Sequence, residues 1–114
     1  MRRRIVLAML AAGFAVAPPG AAVEPVTYAE IVATIRELAA DHLGVRAAEV
    51  DTVSSLSSQG LGEKGFNALV IAVQQEFGVV LPEEDLRQGK WTDNVKALSV
   101  RRLADMVERQ LRPR

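Results

Sequence analysis

The sequence predicts an all-α fold, a bundle of four helices (three longer and one short) behind an N-terminal export signal. Apolar residues make up 49% of the 114 residues and aromatic residues only 4%, which indicates an aliphatic core of the kind that helices form. Three segments have apolar residues at helical spacing, and capping residues lie at their ends. A chain of this length is expected to form one domain.

The first 22 residues have the pattern of a secretory signal peptide. Arginines occupy positions 2–4, an apolar run covers residues 5–17, and helix breakers at 18–20 lead to the small residue Ala22. At ~1.5 Å per residue the run reaches about 20 Å, whereas the bilayer core is about 30 Å thick. We therefore expect cleavage near Ala22, a periplasmic or secreted domain over residues 23–114, and no stable membrane span in the mature form. Retention of the segment as an anchor is the alternative.

Charge and cysteine content exclude several functions. The formal net charge is zero, and no cationic cluster outside the N-terminus could neutralise phosphates, so nucleic acid is not expected as a partner. Loss of the N-terminal arginines leaves the mature domain mildly acidic. The absence of cysteine excludes disulfides, thiol catalysis and thiolate metal sites. Stability must therefore come from an ordinary packed core.

The first helix is predicted to begin at Thr27 and to end near Leu43. Thr27 and Glu30 form a T-x-x-E capping box, and Gly44 suits the left-handed conformation that ends many helices. The predicted buried stripe between them consists of Ile31, Ile35, Leu38 and His42, flanked on the same side by Val32, Ala39 and Leu43.

A long connection over residues 46–59 separates this helix from the second one. Val50 and Leu56 are its apolar anchors, and a connection of this length is expected to contain a short helical turn. The second helix is predicted to end at Gly78. Its apolar stripe comprises Phe66, Leu69, Val70, Val73 and Phe77.

Two shorter features precede the last helix. Residues 79–81 are predicted to be extended and buried, and Pro82 suits the first position of a short third helix. Residues 88–96 are predicted to form a loop, in which Trp91 either covers the core or anchors a partner. Ser99 is predicted to cap the last helix, whose stripe comprises Val100, Leu103, Met106, Val107 and Leu111.

No set of residues supports catalysis or metal binding. His42 is the single histidine, and near a helix C-terminus it is expected to pack or to interact with the helix dipole. The serines at positions 54, 55, 57 and 58 lack a G-x-S-x-G context and indicate a solvated linker. Glu83, Glu84 and Asp85 are consecutive, so they splay around a helix instead of converging on one ion. We therefore expect neither an enzyme nor a metal protein.

The order and motifs of these segments resemble the acyl carrier protein family, the small phosphopantetheine carrier domains of fatty acid and polyketide synthesis. Leu43, Gly44, Val45 and Val50 match the family's LGV-x-x-x-x-V junction after the first helix. Residues 69–77 match its second helix, and residues 81–84, LPEE, match the entry to its third. The resemblance covers roughly residues 27–111 and implies the four-helix carrier fold.

The residue that performs the family's chemistry is missing. In the family a D-S-L triplet opens the second helix, and its serine holds the phosphopantetheine arm; the corresponding positions here are Gly62, Glu63 and Lys64. The nearest serine, Ser58, lies five residues before Glu63. We therefore expect no phosphopantetheine cofactor. We hypothesise that the Glu63 carboxylate instead stabilises the helix start, where the dipole favours negative charge.

Further departures from the family concern the surface. The family's second helix is acidic where partner enzymes dock, whereas this helix exposes Lys64, Asn67, Gln74 and Gln75, and an insertion around Trp91 separates the last two helices. The expected function is an exported, unmodified module that binds an unidentified protein partner. Its candidate contacts are Glu63, Lys64, Asn67, Gln74 and Trp91.

Two alternative functions stay open. The first is a genuine acyl carrier that uses an unexpected serine or is modified before export. The second is a binder of a small hydrophobic ligand, such as an acyl chain or a lipid, since carrier folds can admit an acyl chain between their helices.

Overall fold

Residues 26–112 are described by the computed structural model, and they form five α-helices. The long helices are α1 (Tyr28–Leu43), α2 (Glu63–Phe77) and α5 (Val100–Leu111); the four-residue helices α3 (Glu84–Arg87) and α4 (Asp93–Lys96) lie between α2 and α5. Two 3₁₀ turns, Ala47–Glu49 and Ser57–Gln59, interrupt the α1–α2 connection. The all-α prediction is confirmed, but α4 makes a fifth helix where a loop was predicted. The predicted signal peptide lies outside the described residues.

The ends of α1 are formed as the sequence predicts. Thr27 Oγ1 accepts a hydrogen bond from the amide of Glu30 at 3.1 Å, and Glu30 Oε1 accepts one from the amide of Thr27 at 2.9 Å. At the other end, Gly44 adopts the left-handed conformation with φ of 72°, and its N–H donates to Ala40 O. These contacts satisfy backbone groups that a helix leaves unpaired at its ends.

Helix α1 packs against both other long helices, α2 and α5. Its inner face is fully buried at Ile31, Ile35 and Ala39. This face continues at a spacing of four residues to Leu43, which packs against the core. The prediction that His42 belongs to the stripe is therefore wrong: His42 is exposed, and its Nδ1 lies 2.9 Å from Leu38 O.

One aliphatic core joins the three long helices. The predicted stripe of α2 is buried except for Phe77, which is half-buried. The predicted stripe of α5 is buried except at its end, because Leu111 is the last residue of the helix and lies one turn beyond the buried Val107, so that it remains 39% exposed. The buried core side chains of these two helices are Phe66, Leu69, Val70, Val73, Val100, Leu103, Ala104, Met106 and Val107.

The α1–α2 connection is held against the start of α5. Val50 and Leu56 are buried, as predicted. The amide of Leu56 donates to Leu98 O at 2.9 Å, and the amide of Arg101 donates to Thr52 O at 3.0 Å. Backbone hydrogen bonds therefore supplement the two apolar anchors of this long connection.

The side chains of Asp51 and Gln59 fix the conformation of the same connection. The Asp51 carboxylate accepts hydrogen bonds from the amides of Val53 at 2.8 Å and Ser54 at 3.2 Å, and from the Ser54 hydroxyl at 2.9 Å. Gln59 Oε1 accepts from the amide of Asp51 at 2.8 Å, and its Nε2 donates to Asp51 O at 2.8 Å. The donors around the carboxylate, the Val53 amide above all, lower the pKa of Asp51.

The segment between α2 and α3 differs in part from its prediction. Gly78 ends α2 with φ of 66°, as expected. Leu81 is buried, but Val80 is 64% exposed, so the predicted burial of residues 79–81 is wrong at Val80. Pro82 is not the first residue of α3; the helix begins at Glu84 because the residue between them is still extended, with ψ of 124°.

Helix α4 forms because Thr92 caps it and links it to α3. Thr92 Oγ1 accepts a hydrogen bond from the amide of Val95 at 3.2 Å and donates one to Asp85 Oδ2 at 3.0 Å. Val95 itself is buried in the core. A side-chain cap and one apolar contact thus order a segment that is otherwise polar.

The lowered pKa of Asp51 predicts a pH-dependent contribution to stability. The ionised carboxylate stabilises the folded state above its ordinary pKa of about 3.9, and this contribution is lost as the pH falls through the lower pKa of the folded protein. Asp51→Asn should therefore be less stable than the wild type at neutral pH, and the difference should shrink below about pH 3. Urea unfolding at a series of pH values measures this difference.

Glu37→Gln is the control for this experiment, because it removes an exposed carboxylate from α1. It should retain the pH profile of the wild type. A profile of Asp51→Asn that also coincides with the wild type would contradict the role assigned to Asp51.

Candidate functional site

Helix α2 begins at Glu63, the residue that the sequence analysis singled out at this helix start. Gly62 is the N-cap residue, and within residues 26–112 no side chain caps the first turn. The Glu63 side chain is exposed. It is thus the acidic group of the first turn, where the amide groups and the helix dipole favour a negative charge.

The two serines nearest to this helix start are held by backbone carbonyl groups. Ser58 lies in a 3₁₀ turn, and its hydroxyl donates to Ser55 O at 2.7 Å. The hydroxyl of its neighbour Ser57 donates to Lys96 O at 2.8 Å. The Ser58 hydroxyl therefore supports the 3₁₀ turn, the Ser57 hydroxyl joins the α1–α2 connection to α4, and neither serine lies at the start of α2.

A groove of about 400 Å³ runs along the outer side of α2. Asn67, Ile71 and Gln74 form one wall, because their spacing places them on the same side of the helix. Val80 and residues 86–89 form the other wall. We call this feature the α2 groove.

The α2 groove contains two exposed apolar side chains. Ile71 is 54% exposed and Val80 is 64% exposed; together with Val53 they are the most exposed large apolar side chains of residues 26–112. Arg87 is the charged residue that lines the groove, and no Asp or Glu side chain of residues 26–112 lines it. The groove therefore combines an apolar centre with polar amides and one cation.

Trp91 contacts Phe66 of α2. Its ring lies 5.7 Å from the ring of Phe66 at an interplanar angle of 53°, and Lys96 Nζ lies 6.0 Å from the Trp91 centroid. Trp91 is half-buried and packs against the core. Of the two interpretations from sequence, the structure supports the one in which Trp91 covers the core.

The structure brings only some of the predicted contact residues together. Asn67 and Gln74 line the α2 groove, whereas Glu63 and Lys64 are exposed at the start of the helix and Trp91 lies against Phe66. Gln74 also has a structural role, because its Oε1 accepts a hydrogen bond from the amide of Leu81 at 2.9 Å.

Sequence reasoning missed Ile71, Val80 and Arg87, which complete the α2 groove. A signal for Ile71 was present, because this apolar residue falls outside the buried stripe of α2. No comparable signal distinguished Val80 from its apolar neighbours.

Within residues 26–112, no three His, Asp or Glu side chains group around a possible metal position. In the same part of the chain, the helices are too short or too polar to cross a membrane. Comparison of the chain with protein-family models, with curated proteins and with solved structures finds no match.

The position of Glu63 predicts that its charge stabilises α2. Glu63→Gln should lower the free energy of unfolding by about 0.3–1 kcal/mol at low ionic strength, because a carboxylate near a helix N-terminus interacts favourably with the dipole. The effect should diminish in about 1 M salt, where the Debye length is about 3 Å. Urea unfolding at two salt concentrations measures both effects.

Glu76→Gln is the matched control, because Glu76 lies in the last turn of the same helix, where the dipole does not favour a carboxylate. This variant should be as stable as the wild type or slightly more stable. If Glu63→Gln also leaves stability unchanged at low salt, Glu63 is only a tolerated surface residue.

Proposed function

We propose that this protein is an exported, non-catalytic, acyl-carrier-like domain that binds a protein partner through the α2 groove. The observation on which the proposal rests is the joint exposure of Ile71 and Val80 in one groove. Apolar groups exposed together and surrounded by polar residues mark interaction surfaces on soluble domains.

The start of α2 supports the loss of the phosphopantetheine arm. Glu63 lies at the expected attachment position, and it has no hydroxyl group through which the phosphodiester of the arm could form. The hydroxyls of Ser57 and Ser58 are engaged with backbone carbonyl groups of the connection. On this proposal the domain retains the carrier shape and uses its second helix for recognition alone.

The charge of the α2 groove indicates the chemistry of the partner. Carrier domains dock basic enzymes through an acidic second helix, whereas Arg87 gives this groove a positive charge. An apolar side chain of the partner would contact Ile71 and Val80, and a neighbouring carboxylate would pair with Arg87. Asn67 adds an amide that can donate and accept hydrogen bonds.

Two other functions remain as alternatives to this proposal. A genuine carrier would need Ser58 or another serine to leave its present hydrogen bond and accept the arm. A binder of small ligands would need a second opening into the core, and the cleft between α3, α4 and α5 is the candidate for it.

The proposal predicts that a carboxylate introduced into the α2 groove weakens partner binding. The tagged full chain is expressed in its native cells, and proteins that co-purify with it are quantified by mass spectrometry. Ile71→Asp should reduce recovery of the specific partner at least about tenfold, because central apolar contacts of an interface contribute about 2 kcal/mol or more.

Val53→Asp is the matched control, because Val53 is 71% exposed but lies outside the α2 groove. It should retain the partner. Binding through this groove would be contradicted if Ile71→Asp retained the partner as well as the wild type does. It would also be contradicted if Ile71→Asp and Val53→Asp lost the partner to the same extent.

A further inference from the structure

A second opening in the surface lies between α3, α4 and α5. It is a cleft of about 320 Å³, at the lower end of the range of about 300–1,000 Å³ that small-molecule pockets occupy. Leu86, Leu98 and Met106 form its floor, with exposures of 7%, 9% and 7%. These are the highest exposures among the buried core residues, so the core is least well covered here.

Side chains of opposite charge surround this apolar floor. The Glu83 and Asp85 carboxylates and the Arg102 guanidinium line the same cleft. Asp85 accepts a hydrogen bond from Thr92. Neither the Glu83 carboxylate nor the Arg102 guanidinium forms a hydrogen bond or an ion pair with another residue of 26–112. The Glu83 carboxylate and the Arg102 guanidinium thus line the same small cleft but do not form an ion pair with each other.

We propose that this cleft binds a small zwitterion with an apolar side chain, of the class of the free aliphatic amino acids. The ligand's carboxylate pairs with Arg102, whose planar guanidinium matches a carboxylate in two parallel hydrogen bonds. Its ammonium group pairs with Glu83. Its side chain covers Leu98 and Met106, which are among the least covered residues of the buried core.

The charged side chains of the cleft favour a zwitterion over an amphiphile that has a single charge. An anionic amphiphile would bring its charge to a cleft that already has two carboxylates, Glu83 and Asp85. A cationic amphiphile would leave the Arg102 guanidinium unpaired beside it. A zwitterion pairs with both charges and adds no net charge to the cleft.

Size agrees with a ligand of this class. One water molecule occupies about 30 Å³ in the liquid, so the cleft has the volume of about ten water molecules. A single aliphatic amino acid fits this volume. The cleft shares only Leu86 with the α2 groove among the described residues, so the ligand site is separate from the proposed partner site.

NMR titration of the ¹⁵N-labelled protein with free leucine tests the proposal. Leucine should cause saturable chemical-shift changes in the amides of α3, α4 and the first half of α5. Two analogues serve as probes on the wild type: 4-methylpentanoate, which lacks the ammonium group, and 3-methylbutylamine, which lacks the carboxylate. Each should bind at least about tenfold more weakly, because each leaves one charge-assisted hydrogen bond unmade.

Variants of the two charged side chains complete the test. Arg102→Gln and Glu83→Gln should each weaken leucine binding at least about tenfold, whereas Arg109→Gln, an exposed cation on α5 outside the cleft, should leave it unchanged. The proposal is overturned if leucine causes no saturable shift up to its solubility limit, or if either analogue binds as tightly as leucine. The comparison of leucine with its two analogues uses the wild-type protein, so it tests the proposal even if a variant fails to fold.

Discussion

The bundle depends on the burial of one face of α1 against two helices at once. The chain has no cysteine, so stability rests on aliphatic contacts, each worth roughly 25 cal/mol per Å² of apolar surface removed from water. Ile31, Ile35 and Ala39 are fully buried because α2 and α5 both pack on α1. Val50 and Leu56 anchor the long α1–α2 connection to this core.

Both proposed binding surfaces arise because α3 and α4 are short. Each of these helices has four residues, and together they span the region between the two long helices α2 and α5. One opening lies on the α2 side, where Ile71 and Val80 are exposed, and the other lies on the α5 side, where it is lined by the buried Leu98 and Met106. Leu86 of α3 lines both openings. The two short helices thus leave two separate places at which a ligand or partner could complete the core.

Local signals in the sequence predicted much of the fold. The caps at Thr27, Gly44, Gly78 and Ser99 depend on neighbouring residues alone, and the structure has all four. Features that depend on distant contacts were predicted less well. The extent to which neighbouring helices cover a helix end decides the exposure of Leu111, and helix α4 depends on Thr92 contacting Asp85. Of the residues that line the α2 groove, only Asn67 and Gln74 were among the predicted partner contacts, because the other wall comes from a segment that only tertiary packing brings alongside α2.

The absence of a phosphopantetheine arm is the central claim, and the intact mass of the protein recovered from its native cells tests it most directly. The predicted mass is that of the unmodified chain beginning after Ala22. A species heavier by one phosphopantetheine group would contradict the claim and would make the domain a working carrier.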